Sequence, residues 1–411
     1  MGSEIKAVIG IFILSIILAL TGFYIRSARS GQKILSPFAK PLNIFSFLTS
    51  HKRPSYVVYG YLPYWIIDNS NYLQMDKLTH IAYFGLYINE DGTFKEKVAD
   101  EDGLLVTEPG FRNWNDNPKL DKLIGKAKEE GVRVALTVIA HEDEANDKFL
   151  DCRQCWATLL ENIKKELDSK QITDVNLNFE YAEYTEKDQA AKFAELTKYL
   201  NEELDKTYGD SFLVVAAFAD SAIKNRISSK LNELGRYSDG IFIMAYDFHR
   251  PTSEAAGPVA PMDSRGTNSD YDLNTMVKDF LSQIAPNKLI FGVPYYGYNW
   301  VVENGEKYAK RIEGTEEIGF SESQVYDKIM KDTAALGLNI MWDEAAQVPY
   351  YTYISPETGS TRQVYFENAQ SLKKKYELVK KSNLAGIGIW ALGYDGDRTE
   401  LWNLIYDEFV K

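Results

Sequence analysis

Cysteine is scarce in this chain, since Cys152 and Cys155 are the only two among 411 residues. One Cys-x-x-Cys pair cannot complete a tetrahedral zinc site, and the nearby His141 has no further ligand in register. The pair follows an acidic loop and precedes a predicted helix, which is not the setting of a thioredoxin-like redox motif. We therefore expect a short-loop disulfide first, free thiols second, and metal or redox chemistry last. The sequence predicts no metal site and no cofactor.

An excess of positive charge is also missing. The formal net charge is −13 at pH 7, and no long basic run follows the N-terminal flank. Nucleic acid is therefore not an expected partner. Internal repeats, low-complexity tracts and glycine-rich phosphate loops are absent as well. Aromatic residues are abundant, with 27 Tyr and 7 Trp, and these side chains can fill a core or present flat faces to a ligand.

One long hydrophobic run lies near the N-terminus. Residues Ala7–Ile25 are almost wholly apolar, and as a helix they would span about 28 Å, close to one hydrocarbon core. The run is long for a secretory signal, and no convincing cleavage site follows it. We predict a flank at residues 1–6, a single-pass membrane anchor at 7–25 and a linker at 26–54.

From residue 55 onward, β-rich and helical patterns alternate along the chain. The predicted strands are Tyr56–Trp65, His80–Ile88, Arg133–Ala140, Gln171–Glu180, Phe212–Phe218, Gly240–Asp247, Leu289–Gly297 and Ala385–Leu392. The predicted helices are Lys119–Glu130, Trp156–Ser169, Lys187–Lys206, Ser221–Leu234, Tyr271–Ile284, Gln370–Ser382 and Thr399–Val410. Such alternation predicts an α/β protein, a (β/α)8 TIM barrel over residues 55–411.

The seventh unit is too long for a simple strand and helix. Residues about 302–366 contain a predicted helix, Ser323–Leu336, and strand-like runs at Asn339–Trp342, Pro349–Ile354 and Arg362–Phe366. We interpret this segment as a small α+β insertion between strand seven and its helix. Insertions of this kind emerge from the loop face of a barrel, where they can wall a cleft.

The fourth predicted strand has one polar face. Asp174, Asn176, Asn178 and Glu180 alternate with apolar residues, which is the period of a β-strand. Alone, this face could simply meet solvent. In a barrel it would line the interior and end in Glu180 at the C-terminal mouth, where active sites of such barrels lie.

Five motifs resemble those of glycoside hydrolase family 18, the chitinase-like superfamily. They are Gly60–Trp65, Thr173–Glu180, Met244–Asp247 (Met-x-Tyr-Asp), Gly292–Gly297 and Gly388–Asp395 (Gly-Ile-Trp-Ala-Leu-Gly-Tyr-Asp). The pattern is most similar to the bacterial spore-germination and peptidoglycan-hydrolase branch. The resemblance covers about residues 55–411 and implies the TIM barrel inferred above.

The resemblance also implies catalytic roles. Family members use the acetamido group of the substrate as nucleophile, outside the two-carboxylate scheme of most glycosidases. By position, Glu180 is the acid/base, Asn178 orients the acetamido group, Tyr246 bonds its oxygen, Asp247 binds a sugar hydroxyl and Trp390 is the sugar-binding floor.

Four further residues are predicted to bind substrate. These are Asn176, Met244, Tyr296 and Tyr64. For Met244 a place in the core is favoured over contact with a ligand. Tyr64 and its neighbour Trp65 can be a sugar platform or barrel-rim packing.

This chain departs from the family pattern at the fourth strand. Asn178 stands where the family has its assisting Asp, Asn176 replaces the middle Asp and Thr173 the first, and the third-strand Ser-x-Gly-Gly is not visible in Leu136–Ala140. Two hypotheses remain. One is a hydrolase of β-linked N-acetylglucosamine-containing polymers (peptidoglycan, chitin-like or N-glycan). The other is a non-catalytic, chitinase-like glycan-binding protein, for which retention of Glu180 is unexpected.

The orientation of the anchor follows from weighing two signals. Arg26, Arg29 and Lys33 follow the span and favour a cytoplasmic barrel by the positive-inside rule. An envelope glycan as substrate favours the outside, and we expect an extracytoplasmic barrel on that ground. The sequence gives no signal for an oligomeric state.

Overall fold

The structure is a computed structural model that describes residues 54–181 and 188–411. In chain order its strands are β1 Val57–Pro63, β2 His80–Tyr87, β3 Lys97–Ala99, β4 Leu105–Thr107, β5 Arg133–Ala140, β6 Asp174–Phe179, β7 Leu213–Phe218, β8 Gly240–Met244, β9 Leu289–Pro294, β10 Tyr296–Val301, β11 Glu322–Val325, β12 Met341–Asp343, β13 Val348–Ile354, β14 Thr361–Tyr365 and β15 Gly386–Trp390.

The α-helices of the same ranges alternate with these strands. They are α1 Pro109–Asp116, α2 Pro118–Glu129, α3 Asp143–Asp151, α4 Arg153–Lys170, α5 Gln189–Tyr208, α6 Leu231–Tyr237, α7 Leu273–Leu281, α8 Tyr326–Ala335, α9 Ala369–Lys381 and α10 Glu400–Ile405. Short 3₁₀ turns cover Tyr64–Tyr72, Met75–Lys77 and Pro286–Lys288, and a π turn covers Tyr406–Val410.

Eight of the described strands close into a parallel barrel in the order β1-β2-β5-β6-β7-β8-β9-β15. The predicted (β/α)8 barrel is therefore confirmed. Strand β6 illustrates how alternating residues place one face against the helices and the other face inside the barrel. Phe179 points outward and packs on Phe149 of α3 and Phe193 of α5, with ring centroids 6.1 and 4.7 Å away. The alternate residues of β6 face the barrel interior, where Asn176 meets the side chain of Tyr61.

Aromatic side chains fill the barrel interior. Tyr61 and Phe242 meet edge to face with ring centroids 4.7 Å apart, and Tyr59 lies 5.6 Å from Tyr61. Gly388 of β15 makes room for this cluster, because a Cβ there would lie 2.0 Å from a Phe242 ring atom. The barrel interior beneath the C-terminal mouth is thus filled by side chains.

The insertion is an antiparallel sheet in the order β11-β10-β14-β13-β12 with helix α8. It begins earlier than the predicted residue 302. The apolar stretch predicted as one strand, Leu289–Gly297, ends its barrel strand at Pro294, and β10 starts at Tyr296. Only Tyr295 separates the two strands. The predicted helix from Ser323 begins at Tyr326, since 322–325 pair with β10 instead.

Two other segments differ from expectation. Residues predicted as helix from Ser221 form turns until α6 begins at Leu231, and the Ser221 and Ser228 hydroxyls bond each other at 2.7 Å. The acidic tract predicted as a loop instead places Asp143 and Glu144 in the first turn of α3, where carboxylates complement the helix dipole.

Cys152 and Cys155 form a disulfide at the start of α4, which confirms the first expectation. The predicted flank, membrane anchor and nearly all of the linker fall within residues 1–53, which lie outside the described residues. Among residues 54–181 and 188–411, no helix combines the length and apolar character needed to cross a membrane.

Candidate active site

A cavity of about 890 Å³ opens at the C-terminal ends of the barrel strands. The lining residues nearest the strand ends are Tyr61, Trp65, Phe84, His141, Asn178, Glu180, Met244, Tyr246, Asp247, Tyr296, Tyr298 and Trp390. The structure therefore brings together seven of the nine predicted site residues. Asn176 and Tyr64 do not line this cavity.

Glu180 follows directly after β6. Its backbone N–H donates to the Ala140 carbonyl oxygen at 2.9 Å, which places the carboxyl beside the end of β5. Asn178 Nδ2 donates to Glu180 Oε1 at 3.0 Å. His141 Nε2 lies 2.6 Å from Asn178 Oδ1 and 3.6 Å from Glu180 Oε1. Because an amide oxygen can only accept, His141 is the donor of the 2.6 Å bond.

His141 is one site residue that sequence reasoning missed, because it was considered only as a metal ligand; Tyr61, Phe84 and Tyr298 also line the cavity without having been predicted. The order of the strands could have indicated that His141 lies beside Glu180. Strands β5 and β6 pair in parallel with Ile139 opposite Asn178, so the residue after β5 reaches the level of Glu180.

Asn176 lies beneath the cavity and is fully buried. Its Oδ1 accepts from the Tyr61 hydroxyl at 3.1 Å, and its Nδ2 donates to the Val214 carbonyl oxygen at 3.2 Å. Burial raises the pKa of Tyr61 well above the ordinary value for tyrosine, so the phenol remains a donor. Asn176 therefore holds Tyr61, which lines the cavity.

Tyr246 and Asp247 follow β8. Burial, and then the proximity of Tyr61 and Asp247, raise the pKa of Tyr246 well above the ordinary value, so its hydroxyl stays protonated and can donate. Asp247 adopts a φ of 63°, a left-handed conformation that is uncommon for residues other than glycine and is often found at functional sites.

Asp247 also joins the barrel to the insertion. Its Oδ1 accepts from the hydroxyls of Tyr298, at 2.6 Å, and of Tyr296, both in β10. Its Oδ2 lies 3.6 Å from Arg250 Nε. The carboxylate is therefore oriented from two sides before any ligand binds.

Aromatic rings form the rest of the cavity. Trp390, at the end of β15, packs edge to face on Phe84 and Tyr61 with centroids 4.7 and 5.5 Å away. Trp65 is 50% exposed and donates its indole N–H to the Tyr394 hydroxyl at 3.3 Å. Tyr64 packs edge to face on Trp65 at 4.9 Å, outside the cavity lining. The aromatic side chain that lines the cavity after β1 is therefore Trp65.

The arrangement has a definite chemical character. A carboxyl beside a side-chain amide, a phenol held protonated, a carboxylate oriented by two tyrosines and several indole and phenyl rings share one open cavity. Aromatic faces suit the apolar faces of sugar rings, and the polar groups suit their hydroxyl and acetamido substituents.

Comparison with known proteins agrees with this geometry. The family model for glycosyl hydrolases family 18 matches residues 57–395. The chain is 23% identical over 343 residues to the cortical fragment-lytic enzyme of Bacillus anthracis, covering 81% of this chain and 68% of that protein. It is 26% identical over 242 residues to the sporulation-specific glycosylase YdhD of Bacillus subtilis (strain 168), covering 57% of this chain and only 50% of YdhD.

A solved structure shares the fold. The Group IV chitinase of Ostrinia furnacalis, crystallised with allosamidin, superposes with a TM-score of 0.71 at 20% identity, covering 86% of this chain and 98% of that one. The relatives from spore-forming bacteria confirm the predicted branch, and the predicted enzyme class, a glycosyl hydrolase, follows from the family. With its model matched from the first barrel strand to the loop after the last, the chain belongs to the glycosyl hydrolases of family 18.

Proposed function

We propose that this chain is a retaining hydrolase that cleaves β-linked N-acetylglucosamine-containing polymers with help from the substrate's own acetamido group. The observation that carries the proposal is the placement of Glu180 at the cavity surface, bonded to Asn178. Tyr246 and Trp390 line the same cavity. An acid, an acetamido partner and a sugar-binding floor are the groups that this reaction needs.

In the first step, Glu180 gives its proton to the glycosidic oxygen as the bond from that oxygen to C1 breaks. The acetamido oxygen of the same sugar forms a bond to C1, giving a cyclic oxazolinium ion. In the second step, water attacks C1, the bond from the acetamido oxygen breaks and Glu180 takes a proton from the water. Two displacements at C1 leave its configuration unchanged.

The neighbouring side chains support the charge that develops in these steps. The Asn178 amide N–H donates to Glu180 Oε1 and can stabilise the carboxylate that remains after proton transfer. The Tyr246 hydroxyl, kept protonated by its raised pKa, can donate to the acetamido oxygen. Asn178 brings no negative charge to the oxazolinium ion, so we expect a slower enzyme than one with aspartate there.

We propose an envelope glycan of bacterial type as substrate. The names of two relatives, a cortical fragment-lytic enzyme and a sporulation-specific glycosylase, support this choice. A single-pass anchor at residues 7–25 with the barrel outside the cytoplasm would place the cavity next to such a polymer. The order of preference is peptidoglycan, then chitin-like chains, then N-glycans.

The test is turnover by the full chain on peptidoglycan, chitooligosaccharides and N-glycans, with products identified by mass spectrometry. Glu180→Gln should abolish products. Glu142→Gln, which changes an exposed carboxyl close to the site, should leave them unchanged. Proton NMR of the earliest product should show the β anomer. An initial α anomer would contradict the retaining mechanism.

A non-catalytic glycan-binding protein is the second candidate, and the replacement of an assisting aspartate by Asn178 is the observation that favours it. Wild type that makes no more product than Glu180→Gln on any of these glycans, yet binds them in calorimetry, would establish this candidate and refute the hydrolase.

A further inference from the structure

The contact between His141 and Asn178 is not explained by the motifs that identify the family. His141 follows β5, is partly exposed at 31%, and donates through Nε2 to Asn178 Oδ1 at 2.6 Å. Its ring lies against those of Tyr87 and Phe84, with centroids 5.8 and 6.3 Å away. The imidazole is therefore held between aromatic neighbours on one side and the amide on the other.

A side-chain amide has a donor end and an acceptor end of nearly the same shape, so its neighbours decide its orientation. Here the Nδ2 end faces Glu180 and the Oδ1 end faces His141. If the amide were turned over while Glu180 is ionised, its oxygen would face a carboxylate oxygen that can only accept, and its hydrogens would face the imidazole N–H. The carboxylate would then lose its amide donor, and His141 could accept from the amide only by moving its ring proton to Nδ1, so the observed orientation is favoured.

We propose that His141 is a positioning residue that keeps the donor end of Asn178 directed at Glu180 during the reaction. This inference rests on the proposed hydrolase function. Asn178 N–H then supports the Glu180 carboxylate formed when the proton leaves, and the same bond holds that carboxylate in place to receive a proton from water. His141 acts on the reaction through Asn178 and not by contact with the sugar.

Variants at the two positions separate this role from a general structural one. In the full chain, His141→Ala should lower kcat about 10- to 100-fold with KM changed by less than about threefold, because an orienting bond is lost and the binding surface is kept. His141→Gln, whose amide N–H can replace the imidazole donor, should stay within about threefold of wild type. Glu142→Gln, next in the chain and exposed, is the matched control and should have no effect.

A double-mutant cycle tests whether the two residues act as one unit. In an Asn178→Ala background, His141→Ala should cost no more than about twofold, since the group it orients is gone. An equal loss in both backgrounds, or a His141→Gln variant as weak as His141→Ala, would overturn the proposal.

A measurement that does not depend on turnover tests the positioning role of His141 separately from the proposed hydrolase function. Nitrogen-15 asparagine labelling gives the Asn178 side-chain amide signal, assigned by its loss in Asn178→Ala. In Glu180→Gln and His141→Ala this signal should move and exchange faster with solvent, whereas His141→Gln should preserve it. If His141→Ala leaves the signal unchanged, the positioning role is refuted, even in a chain that hydrolyses glycans. If wild type shows no turnover but the signal responds as expected, only the hydrolase assignment falls.

Discussion

Asp395 is a buried acid whose removal should stabilise the protein at neutral and alkaline pH. It closes the eighth-strand motif, is 1% exposed, and its Oδ2 has no hydrogen-bond partner among the residues that the structure describes. Burial raises the pKa of Asp395 to about 7, and the negative charges of Glu400 and Asp327 add to the effect. The folded protein therefore prefers this carboxyl protonated.

The size of the effect follows from the difference between folded and unfolded pKa values. The pKa rises from 3.8 to about 7 on folding, and each unit corresponds to about 1.4 kcal/mol. The stabilising contribution of the protonated form is complete below pH 3.8 and is lost as the pH rises through 7. Ionisation should thus cost the folded state on the order of 4 kcal/mol at pH 9.

Asp395→Asn imitates the protonated acid at every pH. We expect this variant to match wild type near pH 4, to exceed its free energy of unfolding increasingly as the pH rises from 3.8 to about 7, and to keep a constant advantage of about 4 kcal/mol at higher pH. Reversible urea unfolding from pH 4.5 to 9 measures the difference. Asp397→Asn, an exposed change two residues away, is the matched control and should show no such trend. A stability difference that is independent of pH, or a wild type that is the more stable protein at pH 8.5, would refute the reasoning.

Three other predictions concern the cavity wall, a buried ion pair and the packing inside the barrel. Trp390→Ala should raise KM for a glycan about tenfold by removing the aromatic floor, and Trp390→Phe should restore much of the loss; equal effects would argue against stacking. Lys375 and Glu367 form a fully buried ion pair at 2.7 Å, so Lys375→Met should destabilise by about 3–5 kcal/mol. Adding Glu367→Leu should recover most of that, measured by urea unfolding, and no recovery would contradict the account. Gly388→Ala, with its Cβ against Phe242, should cost about 1–3 kcal/mol, and Phe242→Leu should relieve it.

The barrel could be predicted from the sequence because its strands carry strong local patterns. Arg133–Ala140 was predicted with the bounds that the structure shows, and Asp174–Phe179 was recognised by its alternating faces. The start of the insertion was not predicted, because the apolar run from Leu289 continues into β10 with only Pro294 to mark the end of β9. Where one strand leaves the barrel for another sheet depends on tertiary packing, which period and propensity do not encode.

The candidate site, like the fold, could be predicted only in part from the sequence. Glu180, Tyr246 and Trp390 were found because motifs place them at strand ends, and the structure brings them to one cavity. His141 was missed because it was considered only as a metal ligand, and its contact with Asn178 depends on the register between β5 and β6. Tyr64 was chosen over Trp65, although the turn after β1 directs Trp65 to the cavity. Sequence order gave no basis for choosing between adjacent aromatic residues.

The single residue between β9 and β10 has a mechanical consequence. Tyr295 donates its backbone N–H to the Trp390 carbonyl oxygen at 2.8 Å, and its own carbonyl accepts from the Tyr326 N–H at 2.9 Å. This one residue is thus tied to Trp390 of the barrel on one side and to the insertion helix α8 on the other. Hinges need a few residues that can absorb backbone rotation, and this junction has none to spare. We therefore expect the insertion to be a rigid wall of the cavity, so that the width of the cavity does not change when a ligand enters.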